Sequence, residues 1–346
     1  MTLALSHGIF PVVYYVLKEY NSLIPKNTLA TMKFENMAIA KQNMLMTSEL
    51  IKVMKILKEN NIEVISFKGP VLSQMAYGDI TLRQYCDLDI LVKSGNLLEI
   101  SELFKKNKFD TIDSVSLLKN DSYLNSDNDF SFFTTTNTHI ELHWKLFREK
   151  IGKNLTYEEY FTQTQNININ NSMIPTLSCE QLFVYLCLHG SKHGWERIEW
   201  IVDIYYLIEL NKIDWTKLIE VSKKMHCEIS LFLGLKLIKT FFYTKYPKNI
   251  DMLINNDLIK NLVSETISFL SNDFVLKEDY NKYQQINLYQ LKLISNKKQK
   301  IEHIIFTYFS ITRNDYLLFP LPKYLNFLHY LIKPFRVLSK MILKGK

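Results

Sequence analysis

The chain has 346 residues, 47% of them hydrophobic, with only nine glycines and eight prolines; this excludes disorder and fibrous repeats and leaves one large or two medium packed units. The net charge of +7 is modest for this length, and lysines are spread along the chain, so charge alone does not mark a nucleic-acid binder. The four cysteines, Cys86, Cys179, Cys187 and Cys227, form no C-x-x-C pair, which excludes a disulfide framework or zinc ribbon and fits a reducing cytoplasm.

The uncharged run at residues 2–17 contains His7 and Pro11 and lacks a basic leader, so it does not read as a signal peptide. No stretch reaches the roughly 18 apolar residues of a membrane span, and a soluble, cytoplasmic protein is expected.

In chain order, the first 40 residues read as helical, with Pro11 in a first turn and Pro25 in a break. Residues 42–59 carry a helical stripe of Leu50, Val53, Met54 and Leu57, closed by Asn60-Asn61. Residues 62–67 are rich in β-branched side chains and read as a strand. Lys68-Gly69-Pro70 follows, then a short helix over 71–77 with Pro70 at its first position. A second strand spans 88–92, entered through Cys86-Asp87, and Ser94 offers a cap for a helix to Lys106. Two further strands are expected over 129–134 and 138–144. Beyond Lys150, apart from a short strand near Ile167, helices dominate: 179–189, 196–210, 215–225 and 230–243. The expected class is α+β, a small mixed sheet with flanking helices followed by a mostly α-helical domain. The corresponding division is a helical segment (1–45), a sheet-bearing catalytic domain (46–150) and a helical domain with a basic C-terminal tail (151–346).

The most informative run is Asp87-Leu88-Asp89-Ile90-Leu91-Val92. Strand side chains alternate, so Asp87 and Asp89 share one face. Adjacent carboxylates repel, and a hard divalent cation (Mg²⁺ or Mn²⁺) supplies the compensation because it prefers oxygen ligands. In Ile140-Glu141-Leu142-His143-Trp144 the same alternation puts Glu141 and His143 on one face. Asp87, Asp89 and Glu141 together make the carboxylate set that two-metal nucleotidyl or phosphoryl transfer needs. Lys68-Gly69 lies at a strand-to-helix turn where free N–H groups favour phosphate, and Lys68 and Arg83 are candidate phosphate cations.

These residues, with Tyr77, Leu82, His189, Lys192-His193-Gly194-Trp195 and Trp200-Ile201-Val202-Asp203-Ile204, resemble the uncharacterised nucleotidyltransferase family of the polymerase-beta superfamily. The resemblance runs over roughly residues 49–210. It implies a nucleoside triphosphate bound with Mg²⁺, and members often found beside polysaccharide or modified-peptide biosynthesis genes. One departure stands out. The superfamily's Gly-Gly or Gly-Ser after the first strand is Gly69-Pro70 here, with neither hydroxyl nor N–H at the second position.

His189 and His193 are four residues apart on one helical face. With no adjacent Glu and no third ligand they do not make a zinc motif. Lys192 and His193 either contact the nucleotide or acceptor, with Asp203 orienting one of them, or join Trp195 and Trp200 in a packed seam. Tyr77 and Tyr85 are base-stacking candidates only at the level of chance, and Cys86 reads as packing. The basic, apolar tail at 319–346 reads either as a terminal helix packed on the core or as a weak membrane-surface contact. The expected function is transfer of a nucleotidyl group from a nucleoside triphosphate to a small-molecule, saccharide or peptide acceptor. The alternatives are phosphoryl transfer and non-catalytic nucleotide or partner binding.

Overall fold

A computed structural model describes residues 1–148, 152–271, 280–319, 321, 325 and 327–344. Its centre is a four-stranded sheet of β1 (Val64–Ser66), β2 (Asp87–Val92), β3 (Asp129–Phe133) and β4 (His139–His143), in spatial order β1-β2-β4-β3. β2 runs antiparallel to β1 and parallel to β4, while β3 and β4 form an antiparallel hairpin. The fold is α+β, as the chain-order reading expects.

β2 has neighbours on both sides, so its apolar residues meet protein on every side: Leu88, Ile90, Leu91 and Val92 are all buried. The long helix Lys26–Glu59 covers the sheet with Met46, Leu50, Val53, Met54 and Leu57, which contains the stripe read from the sequence. That helix continues unbroken past residue 45, where the sequence suggested a division. The second expected division, at 150/151, lies outside the described residues. Ser94 does not cap with its side chain: a 3-10 turn occupies Ser94–Asn96 and the α-helix runs Leu97–Lys106.

The strand expected near Ile167 is one arm of a hairpin, β5 (Gln165–Ile169) and β6 (Ser172–Thr176), reversed by Asn170 and Asn171, both at positive φ. The helices Cys179–Lys192 and Ile198–Leu210 then pack on each other, and the second also lies against the helix Gly69–Tyr77. Between them Trp195, at φ 56°, is fully buried with its ring against Gly190. A Cβ on Gly190 would stand 2.5 Å from that ring, so the close turn depends on glycine there. The N-terminal segment closes the start of the Ile198–Leu210 helix, where the Glu199 amide donates to the His7 carbonyl at 3.1 Å. One continuous apolar core joins sheet and helices.

Candidate active site

The parallel register sets Asp87 beside His139 and Asp89 beside Glu141, so β2 and β4 present their polar alternates on one face. Asp89 is fully buried. Its Oδ1 accepts from Lys68 Nζ at 3.0 Å and lies 3.2 Å from His143 Nε2, while its Oδ2 is buried with no hydrogen-bond partner among the described residues. His143 Nε2 also lies 3.3 Å from Glu141 Oε2, and Nδ1 is 3.2 Å from the Asn128 side-chain amide. Asp87 is half-buried at the edge of the site.

The electrostatics follow from this crowding. Burial pushes the Asp89 carboxyl up, but the Lys68 ammonium and the His143 hydrogen bond outweigh it and hold the group well below the usual carboxylate range. Asp87 moves the other way, because burial and the neighbouring Asp89 charge both oppose its ionisation. Burial lowers the His143 imidazole, yet its hydrogen bonds to Asp89 and Glu141 prevail and place it at about 10. Lys68 is also held above its ordinary value: burial opposes the charge, and Asp89 more than compensates.

Oxygen and nitrogen atoms of Asp89, Glu141 and His143 lie within 4.8 Å of one another, as do those of Asp87, His139 and Glu141, so Glu141 belongs to both groupings. The set fits a hard cation: the donors are mostly carboxylate oxygens, and the orphaned Asp89 Oδ2 is a buried anionic oxygen in want of a partner.

The carboxylates open on a cavity of about 450 Å³. Its near wall holds Lys68, Asp87, Glu141 and His143, and the far wall comes from the helices Cys179–Lys192 and Ile198–Leu210 through Tyr185, His189, Lys192, His193 and Trp200. Lys192 is half-buried there and makes no ion pair among the described residues. His189, His193 and Trp200 form an aromatic cluster, with the two imidazole centroids 4.8 Å apart. Burial and the nearby Lys68 push His189 well down, so it is neutral, and no metal grouping among the described residues includes either histidine.

Three sequence expectations change, those for Arg83, Asp203 and Cys86. Arg83 lines the cavity, but its Nε donates to both oxygens of Asp203 at 3.0 Å, and the pair is almost wholly buried. Asp203 therefore orients Arg83 and Tyr77, whose hydroxyl donates to it at 2.7 Å, rather than Lys192 or His193. Tyr77 and Tyr85 are held by their hydroxyls, Tyr85 donating to the Ile80 carbonyl at 3.1 Å. Cys86 is exposed on the cavity wall beside Asp87 rather than packed. Gly69, at φ 52°, makes its close approach to the Asp87 carbonyl, 3.2 Å from where a Cβ would stand. That contact sets the Lys68 turn against β2.

The model of the uncharacterised nucleotidyltransferase family matches residues 1–243. The chain belongs to this family. No curated protein matches it by sequence. Among solved structures, an antigenic nucleotidyltransferase-like protein from Paracoccidioides brasiliensis is similar at 16% identity and a TM-score of 0.37, covering 61% of this chain and 91% of that one. The antibiotic-resistance factor ANT(2'')-Ia is similar at 11% identity and a TM-score of 0.33, covering 68% and 98%. Both likenesses are distant, and membership rests on the family model.

Within this nucleotidyltransferase the residues Asn128, Arg148, Tyr185, Arg197 and Glu199 of the cavity, and His139 beside Asp87 and Glu141, carry no motif in the sequence. Tyr185 could have been found, since Tyr185, His189 and Lys192 follow the i, i+4, i+7 spacing of one helical face.

Glu199 carries a pH prediction. Its burial pushes the carboxyl from 4.5 up to about 7, against the pull of Arg83 and Arg197. An acid whose folded pKa is raised contributes stability below its unfolded pKa and loses that contribution as pH rises through the folded one. Glu199→Gln is therefore expected to gain relative to the parent between about pH 4.5 and pH 7, by roughly 3 kcal/mol. Thermal unfolding of both proteins across that window measures it, and two parallel pH profiles would sink the assignment.

Proposed function

We propose that this protein transfers a nucleotidyl group from a nucleoside triphosphate to a hydroxyl on a small-molecule, saccharide or peptide acceptor, by a two-metal mechanism. The observation that carries this reading is the face formed by Asp87, Asp89 and Glu141 with the orphaned Asp89 Oδ2, opening on a cavity large enough for substrate. In this reading residues 46–150 form the catalytic part, and the helices after 151 supply the opposite wall.

Asp87, Asp89 and Glu141 would hold Mg²⁺ or Mn²⁺. A bound cation of this kind neutralises triphosphate charge and acidifies an acceptor hydroxyl. Lys68 keeps Asp89 ionised and brings a positive charge to the phosphate side of the site. His143, whose Nε2 lies 3.2 Å from Asp89 and 3.3 Å from Glu141, fixes the two carboxylates relative to each other. Glu141, half-buried on the cavity wall, would take the acceptor proton. The acceptor oxygen bonds to the α-phosphorus as the bond to the β-phosphate bridge breaks, and pyrophosphate leaves. Lys192, and His193 beside it, face the nucleotide from the far wall. Gly69 supplies the close backbone turn, and Arg83 acts by holding the wall in place.

Calorimetry with ATP, GTP, CTP and UTP, with and without Mg²⁺, tests the reading and selects the base. Metal-dependent binding that Asp87→Asn loses supports it; no binding of any triphosphate by the parent chain overturns it. Label from the α position on a product marks nucleotidyl transfer, whereas label from the γ position marks phosphoryl transfer. Lys192→Ala is expected to weaken triphosphate binding about 10- to 100-fold, the worth of a hydrogen bond to a charged group, with little change in melting temperature. Unchanged affinity in that variant would remove Lys192 from the nucleotide site.

A further inference from the structure

The helices Lys297–Phe309 and Leu328–Lys344, both beyond the residues that match the family, bury polar side chains and expose apolar ones among their described residues. On the second, Lys333 and Arg336 turn inward to Asp315, at 2.7 and 2.6 Å, and His329 is buried. Its outward side shows Leu331 at 60% and Phe335 at 74% exposure. The first helix buries His303 and turns Ile301 and Ile305 outward, at 60% and 53% exposure. The two helices pack against each other, so these side chains belong to neighbouring elements. Scattered exposed apolar residues are ordinary on a protein surface, but exposed clusters on adjoining helices that also bury polar side chains are not.

Charge identifies what covers this face. Residues 297–346 contain eight lysines and two arginines against one aspartate and one glutamate, a net +8, so the first 296 residues together carry −1. The whole positive balance of the chain lies in the segment with the apolar face. Lys297 and Lys298 are exposed at the start of the first helix, Lys298 only loosely paired with Glu302 at 3.9 Å. An apolar face combined with a lysine-rich surround is complementary to an anionic bilayer, whose headgroups attract the lysines while its acyl boundary takes the apolar side chains. A second copy of the chain fits less well, since pairing two such segments would oppose like charges. Nucleic acid would require outward cations at the centre, where Lys333 and Arg336 are spent on Asp315.

We infer that this C-terminal helix pair docks the protein on an anionic membrane surface. Docking is independent of the chemistry assigned to the carboxylates.

The test is flotation of the full-length protein with vesicles of phosphatidylcholine alone and of phosphatidylcholine mixed with phosphatidylserine, alongside sedimentation analysis without lipid. The expected result is about tenfold or greater preference for the anionic vesicles, weakened by salt. Leu331→Ser/Phe335→Ser should lower binding about tenfold or more. Lys297→Gln/Lys298→Gln should lower it comparably on anionic vesicles only. All four side chains are exposed, and circular dichroism verifies that the variants fold. Asp87→Asn should float like the parent, which separates docking from catalysis. Failure of the parent to float with anionic vesicles overturns the inference. So does a dimer that Leu331→Ser/Phe335→Ser dissolves while vesicle binding is absent.

Discussion

Asp87→Asn is expected to lower nucleotidyl transfer by about three orders of magnitude while leaving the fold intact, whereas Asp89→Asn should lose both. The rate follows from the charge compensation a cation supplies, several kcal/mol in the transition state, which needs all the carboxylates of its cage. The difference in stability follows from their surroundings. Asp87 is half-buried at the cavity edge, and its side-chain contact is the weak one from Cys86 Sγ at 3.8 Å. Replacing that carboxylate with an amide of the same size disturbs little, and it removes a charge that Asp89 opposes. Asp89 is fully buried and receives both Lys68 and His143 on one oxygen. Asn in its place leaves an ammonium and an imidazole facing a neutral amide, a loss of the order of 3–5 kcal/mol for breaking a buried pair. Urea unfolding of the two variants, with α-labelled nucleotide transfer on the same preparations, separates the effects. If Asp87→Asn kept metal-dependent transfer, the cation cage would have to be rebuilt around other residues.

Asp87 and Asp89 were legible because strand alternation is local: two residues apart means one face, whatever the rest of the fold does. Glu141 was legible for the same reason within its own strand. Their meeting was not, since the pairing of Asp89 with Glu141 depends on β2 and β4 lying parallel with a particular register, fixed only after the chain has crossed over. Arg83 shows the limit of reading charge from sequence. An arginine near a phosphate-type turn invites a phosphate, but its partner Asp203 sits 120 residues away and claims it first. The β5–β6 hairpin is only half legible: the run near Ile167 reads as a strand, while its partner arm is joined to it through the Asn170-Asn171 turn signal. The C-terminal tail was singled out for its lysines. Which way Lys333 and Arg336 point, however, is decided by Asp315 on another helix, outside any local pattern.

Arg83→Met and Asp203→Leu, each made alone, are expected to destabilise the protein by about 3–5 kcal/mol, and the double variant by markedly less than their sum. Each single change strands one buried charge: the guanidinium and carboxylate are 7% and 0% exposed. Arg83→Met also leaves the Asp203 carboxylate with the Tyr77 hydroxyl as its one side-chain donor among the described residues. The double variant strands neither charge and fills the same space with apolar atoms, which for buried pairs is often neutral. Urea unfolding gives the coupling energy directly. A coupling below about 0.5 kcal/mol, the margin within which independent sites add, would show the pair to be incidental. Stability recovered in the double variant need not return nucleotide binding, and that contrast is informative. The ion pair ties the segment between the Gly69–Tyr77 helix and β2 to the Ile198–Leu210 helix, so it sets the distance between the carboxylate wall and the Trp200 wall. An apolar replacement can restore burial without restoring the bidentate geometry. Weak triphosphate binding by folded Asp203→Leu, which keeps the guanidinium on the cavity wall, would therefore mark Arg83 as a positioning residue, holding the cavity open rather than touching the nucleotide.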